Sequence, residues 1–125
     1  MKSVLTIVLL ATMLAPTYVK ANDGLAETIC SYIEVDNKSR LRKVLKANNI
    51  RIRNIYDSVL CDGQTMLRFA ITSEANSVGG FIVSKLPVVA LNTPESNGKT
   101  LVQWADEFGH SASPVVAIAR DRMGE

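Results

Sequence analysis

"CDGQTMLRFA" (residues 61–70) and "SNGKTLVQWA" (residues 96–105) are the same sentence written twice. Asp62 aligns with Asn97, Gly63 with Gly98, Thr65 with Thr100, Met66 with Leu101, Leu67 with Val102, Phe69 with Trp104 and Ala70 with Ala105. Each residue type has a local task. Asp-Gly and Asn-Gly turn the chain, and the threonine hydroxyl can accept from the unpaired N–H groups that open a helix. Leu67 with Ala70, and Val102 with Ala105, then fall three apart on one helical face. A turn, a cap, an aliphatic pair, an aromatic and an alanine in fixed order point to a repeated unit. Its period, near 35 residues, lies in the range of helical repeat arrays.

Working outward, the first copy predicts a helix from Thr65 to about Ser73. A second helix follows in "GGFIVSKL", weakened at its start by Gly79 and Gly80 and stopped by Pro87. "LNTPESNG" reads as the loop before the second copy. That copy ends in "HSASPVVAIARD", where Ser113 as cap and Pro114 at the first helical position announce another helix. Upstream, Leu25, Ile29, Tyr32 and Ile33 share a helical face, with Asp23 placed to cap it. Asp36 or Asn37 caps a further helix whose apolar face holds Leu41, Val44, Leu45 and Asn48, and "ANNI" closes it. In "IRIRNIYDSVL" the alternation of Ile50 and Ile52 with Arg51 and Arg53 suits an extended or hairpin-like connection.

At these residues the chain resembles the ankyrin-type repeat proteins, whose pattern runs D-G-x-T-P-L-H-x-A-A-x-x-G-H before an outer helix. "NGKTLVQWADEFGH" keeps it at Gly98, Thr100, Val102, Ala105, Gly109 and His110, and the first copy keeps it at Gly63, Thr65, Leu67 and Ala70. The departures are Met66 and Leu101 for the proline, Arg68 and Gln103 for the first histidine, and Glu74-Ala75 for the first copy's Gly-His. The resemblance implies an all-α fold, a short stack of about three degenerate ankyrin-like helix-turn-helix repeats. Repeats bury their apolar faces against neighbours, so about three are needed for a stable stack. Around "ICSYIEVDNKSRLRKVLKANNIRIRNIYDSVLCDGQTMLRFA" the chain also resembles a group of short exported bacterial proteins that carry an uncharacterised domain, which implies a periplasmic setting.

Residues 1–21 read as a secretory signal: Lys2 precedes an apolar run from Val4 to Ala15, with small-residue cleavage geometry at Val19, Lys20 and Ala21. The run is shorter than the roughly 20 apolar residues that a membrane-spanning helix needs. The expected product is therefore a single helical repeat-like domain over 22–125 without a transmembrane segment, exported to the periplasm or secreted. In an oxidising compartment Cys30 and Cys61, the only cysteines, are expected to pair, closing a loop worth on the order of 3 kcal/mol. Two buried free thiols are the alternative.

Nothing spells out a reaction. His110 is the only histidine, and its expected place is a turn between paired helices, with its ring hydrogen-bonded to local backbone. Asp106 and Glu107 are adjacent and point differently on a helix, so they read as a solvated face. "NGKT" is no P-loop, because the required upstream glycine position holds Thr93. Cys30 and Cys61 lack C-x-x-C spacing. Phe69 and Trp104 read as core or inter-repeat packing. No catalytic residue, metal ligand or cofactor is expected, and the chain is not expected to be an enzyme.

The feature that exceeds what folding requires is basic. Lys38, Arg40, Arg42, Lys43, Lys46, Arg51 and Arg53 occur with no acid between Asn37 and Tyr56. Without Lys2 and Lys20 the chain has twelve basic and twelve acidic side chains, so this run sits in a molecule of no net charge. The expected function is a binding module whose basic surface and helical-repeat face meet an acidic protein partner. An anionic envelope surface is the alternative, a small periplasmic enzyme a more distant one, and nucleic acid is not the expected partner. A solvated face balanced by distant acids is the bland reading of the same run. The oligomeric state is open.

Overall fold

The fold is that of a computed structural model describing residues 17–95 and 97–125, with side chains from Gly24 onward. Eight helices and one small β-ribbon succeed one another among these residues. They are α1 (Thr17–Glu34), α2 (Lys38–Ala47), α3 (Ile52–Ile55), β1 (Leu60–Cys61), β2 (Gln64–Thr65), α4 (Met66–Thr72), α5 (Asn76–Lys85), α6 (Val88–Leu91), α7 (Leu101–Glu107) and α8 (Pro114–Met123). The described chain is thus mostly helical, as expected. Of the signal expected over 1–21, residues 1–16 lie outside the described residues.

Both copies of the motif build the same local structure. Gly63 and Gly98 take positive φ (76° and 81°), the left-handed region that glycine enters without steric cost. Thr65 and Thr100 then stand just before their helices in extended geometry, and their hydroxyls accept from the amides of Arg68 and Gln103. The second copy adds the reciprocal bond, Gln103 Oε1 accepting from the Thr100 amide, which completes a capping box. Each start opens a seven-residue helix, followed after a turn by a ten-residue helix, giving the pairs α4–α5 and α7–α8. Ser113 caps α8 and Pro114 begins it.

The helix ends also share one device: a single residue at positive φ, after which an amide reaches back five positions. Glu74 (57°) and Gly109 (84°) do this for the two copies, through Ala75 N to the Ala70 carbonyl and His110 N to the Ala105 carbonyl. Asp36 ends α1 and Asn49 ends α2 in the same way. Asp36 serves twice, since its carboxylate accepts from the amides of Val78 (2.7 Å) and Ser77 (3.4 Å) at the start of α5. Ala75 at the N-cap of α5 has no side chain to do so.

Several expectations are corrected. Asp23 lies inside α1, because "TYVKAN" before it holds no breaker and the helix runs through. Asn48 is exposed at the C-cap of α2, with its side-chain amide donating to the Val44 carbonyl, and does not share the buried face. The reading of residues 50–60 as an extended or hairpin-like connection fails at Ile52, where α3 makes one helical turn; Ile52, Tyr56 and Val59 recur at helical spacing and are buried, which outweighs the Ile-Arg alternation. "LNTPESNG" is preceded by the extra turn α6, started rather than only stopped by Pro87.

The helix expected to start at Gly79 begins three residues earlier, at Asn76, so Gly79 and Gly80 lie in the interior of α5. Gly79 lets α5 approach α8 closely: a methyl group built there would overlap Val115 Cγ2 and stand 3.0 Å from its Cγ1. This contact matters because α5 is the central helix, packed against α8, α4, α2 and α3, while α1 covers α2 and α4. The core is continuous from Ile29 and Ile33 on α1 through Leu41, Met66 and Ile82 to Val115 and Val116 on α8. Cys30 and Cys61 form a disulfide with 5.5 Å between their Cα atoms, which staples α1 to the ribbon, and no cysteine is free.

A candidate anion-binding groove

All seven residues of the basic run are exposed, and none forms an ion pair among the described residues. The fold divides them. The C-terminal half of α2, the segment 50–53 and the outer face of α5 enclose a groove of about 460 Å³, lined by Arg42, Lys46, Arg51 and Arg53 together with Lys85. Its apolar wall is Leu45, Ile50, Ile52 and Phe81, and no acid lines it. Arg40 and Lys43 instead border a separate depression with Tyr32, Val44 and Ala47. Lys38, at the start of α2, lines neither.

This division follows from helical geometry. On α2, Leu41 and Leu45 are buried, which places Arg42 and Lys46 four apart along one border of the exposed face and Arg40 and Lys43 three apart along the other. Arg51 precedes α3 in extended geometry and Arg53 directly follows the buried Ile52, so the two flank it and both line the groove. Phe81 organises the far wall. The Arg42 guanidinium lies 6.0 Å and the Lys85 ammonium 5.6 Å from its ring centroid, within cation–π range. Lys85 stands outside the basic run, and its only sequence cue is the four-residue spacing from Phe81 that puts both on one side of α5.

Five cations facing a shared concavity raise its potential and favour an anion, and the aliphatic wall adds contact area for an uncharged part of the same ligand. Salt screens such a field over about 10 Å at 0.1 M.

The other polar centre is internal. Arg68, in the place of the repeat pattern's histidine, is 8% exposed, and its Nε lies 2.7 Å from Glu95 Oε1 as an ion pair without an aligned hydrogen bond. Its Nη2 donates to Asn97 Oδ1 (2.7 Å) and to the Lys99 carbonyl (3.2 Å). Glu95 also accepts from the Tyr56 hydroxyl (2.7 Å) and the Thr65 hydroxyl (3.3 Å). Burial, with Glu95 beside it, pushes the Tyr56 phenol far above its ordinary value. The network ties the 92–100 loop to both the first copy's cap and the α3 segment, and with so little of it exposed it serves the fold.

His110 departs from its expected role: its ring stacks on Trp104 at 4.9 Å, the Arg68 guanidinium lies 5.1 Å from the same indole, and the local hydrogen bonds are those of its backbone, whose amide donates to the Ala105 carbonyl and whose carbonyl accepts from the Ser113 amide. Trp104 and Phe69 are buried, each 8% exposed, as packing residues. Asp106 pairs with Arg120 (2.6 Å) and Glu107 with Lys99 (2.6 Å), so the expected solvated face is half-exposed and bridged. Among the described residues no group of three His, Cys, Asp or Glu comes together as metal ligands would, and no helix is long and apolar enough to cross a membrane.

A protein family described as a protein of unknown function (DUF3718) matches residues 29–93. The chain belongs to that family. The DUF3718 segment contains every residue that lines the basic groove, both disulfide cysteines and Arg68, whereas α7 and α8 lie beyond it. No curated protein matches the chain, and no solved structure does.

Proposed function

We propose that the protein is an exported, non-enzymatic binding module whose basic groove receives an acidic segment of a protein partner. The observation that carries this reading is the groove's lining of five cations without an acid, over an apolar wall. Folding alone gives no reason to collect unpaired like charges around one concavity, because they repel one another. The ankyrin-like reading belongs here as well: the matched starts and ends of α4 and α7, each followed by a ten-residue helix, support two related helix pairs, with α1–α2 as an atypical outer pair. The disulfide is compatible with an oxidising compartment and hence with export.

Anionic lipid is the second reading, favoured by Lys38, Arg40 and Lys43, which are exposed outside the groove on the same helix. Two charge-reversed variants separate the possibilities. The groove variant carries Arg42→Glu, Lys46→Glu and Arg51→Glu; the flank variant carries Lys38→Glu, Arg40→Glu and Lys43→Glu, so both change the charge equally. In crosslinking pull-downs from the cell envelope, the groove variant should lose a protein partner that the flank variant keeps. Equal catches from native protein and groove variant would reject the groove. Sedimentation of the native protein with anionic but not neutral vesicles, abolished in both variants, would replace the protein partner with lipid.

A further inference from the structure

The groove has a counterpart on the same molecule. The ribbon β1–β2 pairs Leu60 with Thr65 and Cys61 with Gln64, and the positive φ of both Asp62 (55°) and Gly63 (76°) makes its tip a tight turn of the kind that suits twisted hairpins. Because side chains alternate along a strand, Cys61 points inward to its disulfide while Leu60 points out and is 55% exposed. Beside it, α1 and the ribbon form a second concavity lined by Glu27, Glu34 and Asp62, with no base among its lining residues. These three acids make no ion pair among the described residues.

The two surfaces share no lining residue and are opposite in charge, and each joins unpaired charges to apolar groups. We infer that the ribbon of one molecule, carrying Leu60 and Asp62 and flanked by Glu27 and Glu34, docks in the basic groove of a second copy. Leu60 meets the wall formed by Leu45, Ile50 and Phe81, and the three acids face the groove's cations. The Cys30–Cys61 bond holds the ribbon against α1, so little conformational freedom is lost on docking. A contact between two different surfaces of identical chains is heterologous, and repeats head to tail into rings or open chains unless one surface is blocked. This inference rests on the groove reading above and makes the acidic partner another copy of the same chain.

The test is sedimentation velocity over a concentration series at low and high ionic strength. The native protein should associate with concentration at low salt, and the association should fall at least about tenfold in strength between roughly 0.02 M and 0.5 M salt. One variant, Glu27→Lys with Glu34→Lys, keeps the groove; the other, Arg51→Glu with Arg53→Glu, keeps the ribbon surface. All four positions are exposed, and unchanged circular dichroism verifies folding. Each variant alone should be monomeric, and an equimolar mixture should form a heterodimer. Leu60→Ser, which alters no charge, should weaken native association. Native protein that stays monomeric at low salt up to about 1 mM, or variants that fail to complement one another, overturns the inference. Fluorescent polyglutamate, titrated onto the groove-intact variant, distinguishes the failures. Retained binding leaves the groove reading standing without self-docking, and lost binding removes both.

Discussion

Adjacent glycines in α5 should respond in opposite directions to the same substitution. Alanine is favoured over glycine inside a helix by about 1 kcal/mol, so both Gly79→Ala and Gly80→Ala begin with that gain. At Gly79 the added methyl overlaps Val115 Cγ2, and it lies 3.0 Å from Cγ1 and 3.3 Å from Cβ of the same residue. Val115 is fully buried, and its β-branched side chain is held in one strongly preferred χ1 rotamer within a helix, so it has no low-cost way to turn aside. Overpacking of this kind costs about 1–3 kcal/mol, so Gly79→Ala should be destabilising by up to about 2 kcal/mol. In a domain of this size each 1 kcal/mol moves the melting temperature by about 4–8 °C. At Gly80 the methyl meets only Ile118 Cδ1 at 3.0 Å, the far end of a flexible and partly exposed side chain. That contact should yield, leaving Gly80→Ala neutral or up to about 1 kcal/mol stabilising. Thermal and urea unfolding followed by far-ultraviolet circular dichroism read both. Adding Val115→Ala to Gly79→Ala should reveal coupling of at least about 0.5 kcal/mol. A Gly79→Ala protein more stable than the native one, or at least as stable as Gly80→Ala, would refute the close approach of α5 and α8.

The disulfide closes a loop spanning a sequence separation of 31, so replacing both cysteines by alanine should cost about 3–4 kcal/mol by the chain-entropy relation, measured by urea unfolding against the oxidised protein. Arg68→Met leaves Glu95 as a buried unpaired carboxylate and should cost about 3–5 kcal/mol, whereas Arg68→Met with Glu95→Leu should recover most of that loss; a double-mutant cycle with no recovery would contradict the ion pair. Tyr56 is held protonated in the fold while an unfolded tyrosine ionises near pH 10, so the folded state binds more protons there. Its contribution is complete below about pH 10 and declines as pH rises beyond it, and a pH series of urea midpoints should show that decline weakened in Tyr56→Phe.

The parts of the fold legible in the sequence are those made by neighbours in the chain. Thr65, Thr100 and Ser113 each bond an amide two or three residues on, and Gly63 and Gly98 turn where a side chain would be strained, so a short window contains the whole cause. Glu74 was harder to read, because it adopts the left-handed turn that Gly109 supplies in the second copy and carries no compositional mark of it. The one-turn helix α3 was hidden by a local alternation of Ile and Arg, while the burial that decides it comes from packing against α5. Arg68 looked like a departure from a repeat pattern; its partners Glu95, Asn97 and Lys99 are a loop away and meet it only after α4 and α5 fold back.

The site was legible in the same uneven way. The acid-free run from Lys38 to Arg53 is plain in the sequence, where it reads as one patch. Rotation around α2 separates Arg40 and Lys43 from Arg42 and Lys46, and α5 brings Lys85 to the second group. Charge counting along a chain cannot show a concavity assembled from three helices, and the apolar wall behind those cations belongs to the packing of Leu45, Ile52 and Phe81.

We propose that one groove, rather than basic charge in general, binds an acidic chain. It is tested most directly by following backbone amide NMR shifts of isotopically labelled protein during a titration with polyglutamate at low salt. Saturable shifts concentrated at Arg42, Lys46, Arg51, Arg53, Phe81 and Lys85 are expected, with Lys38, Arg40 and Lys43 little changed. Shifts spread evenly over all the exposed cations, or confined to the Arg40 and Lys43 side of α2, would contradict it.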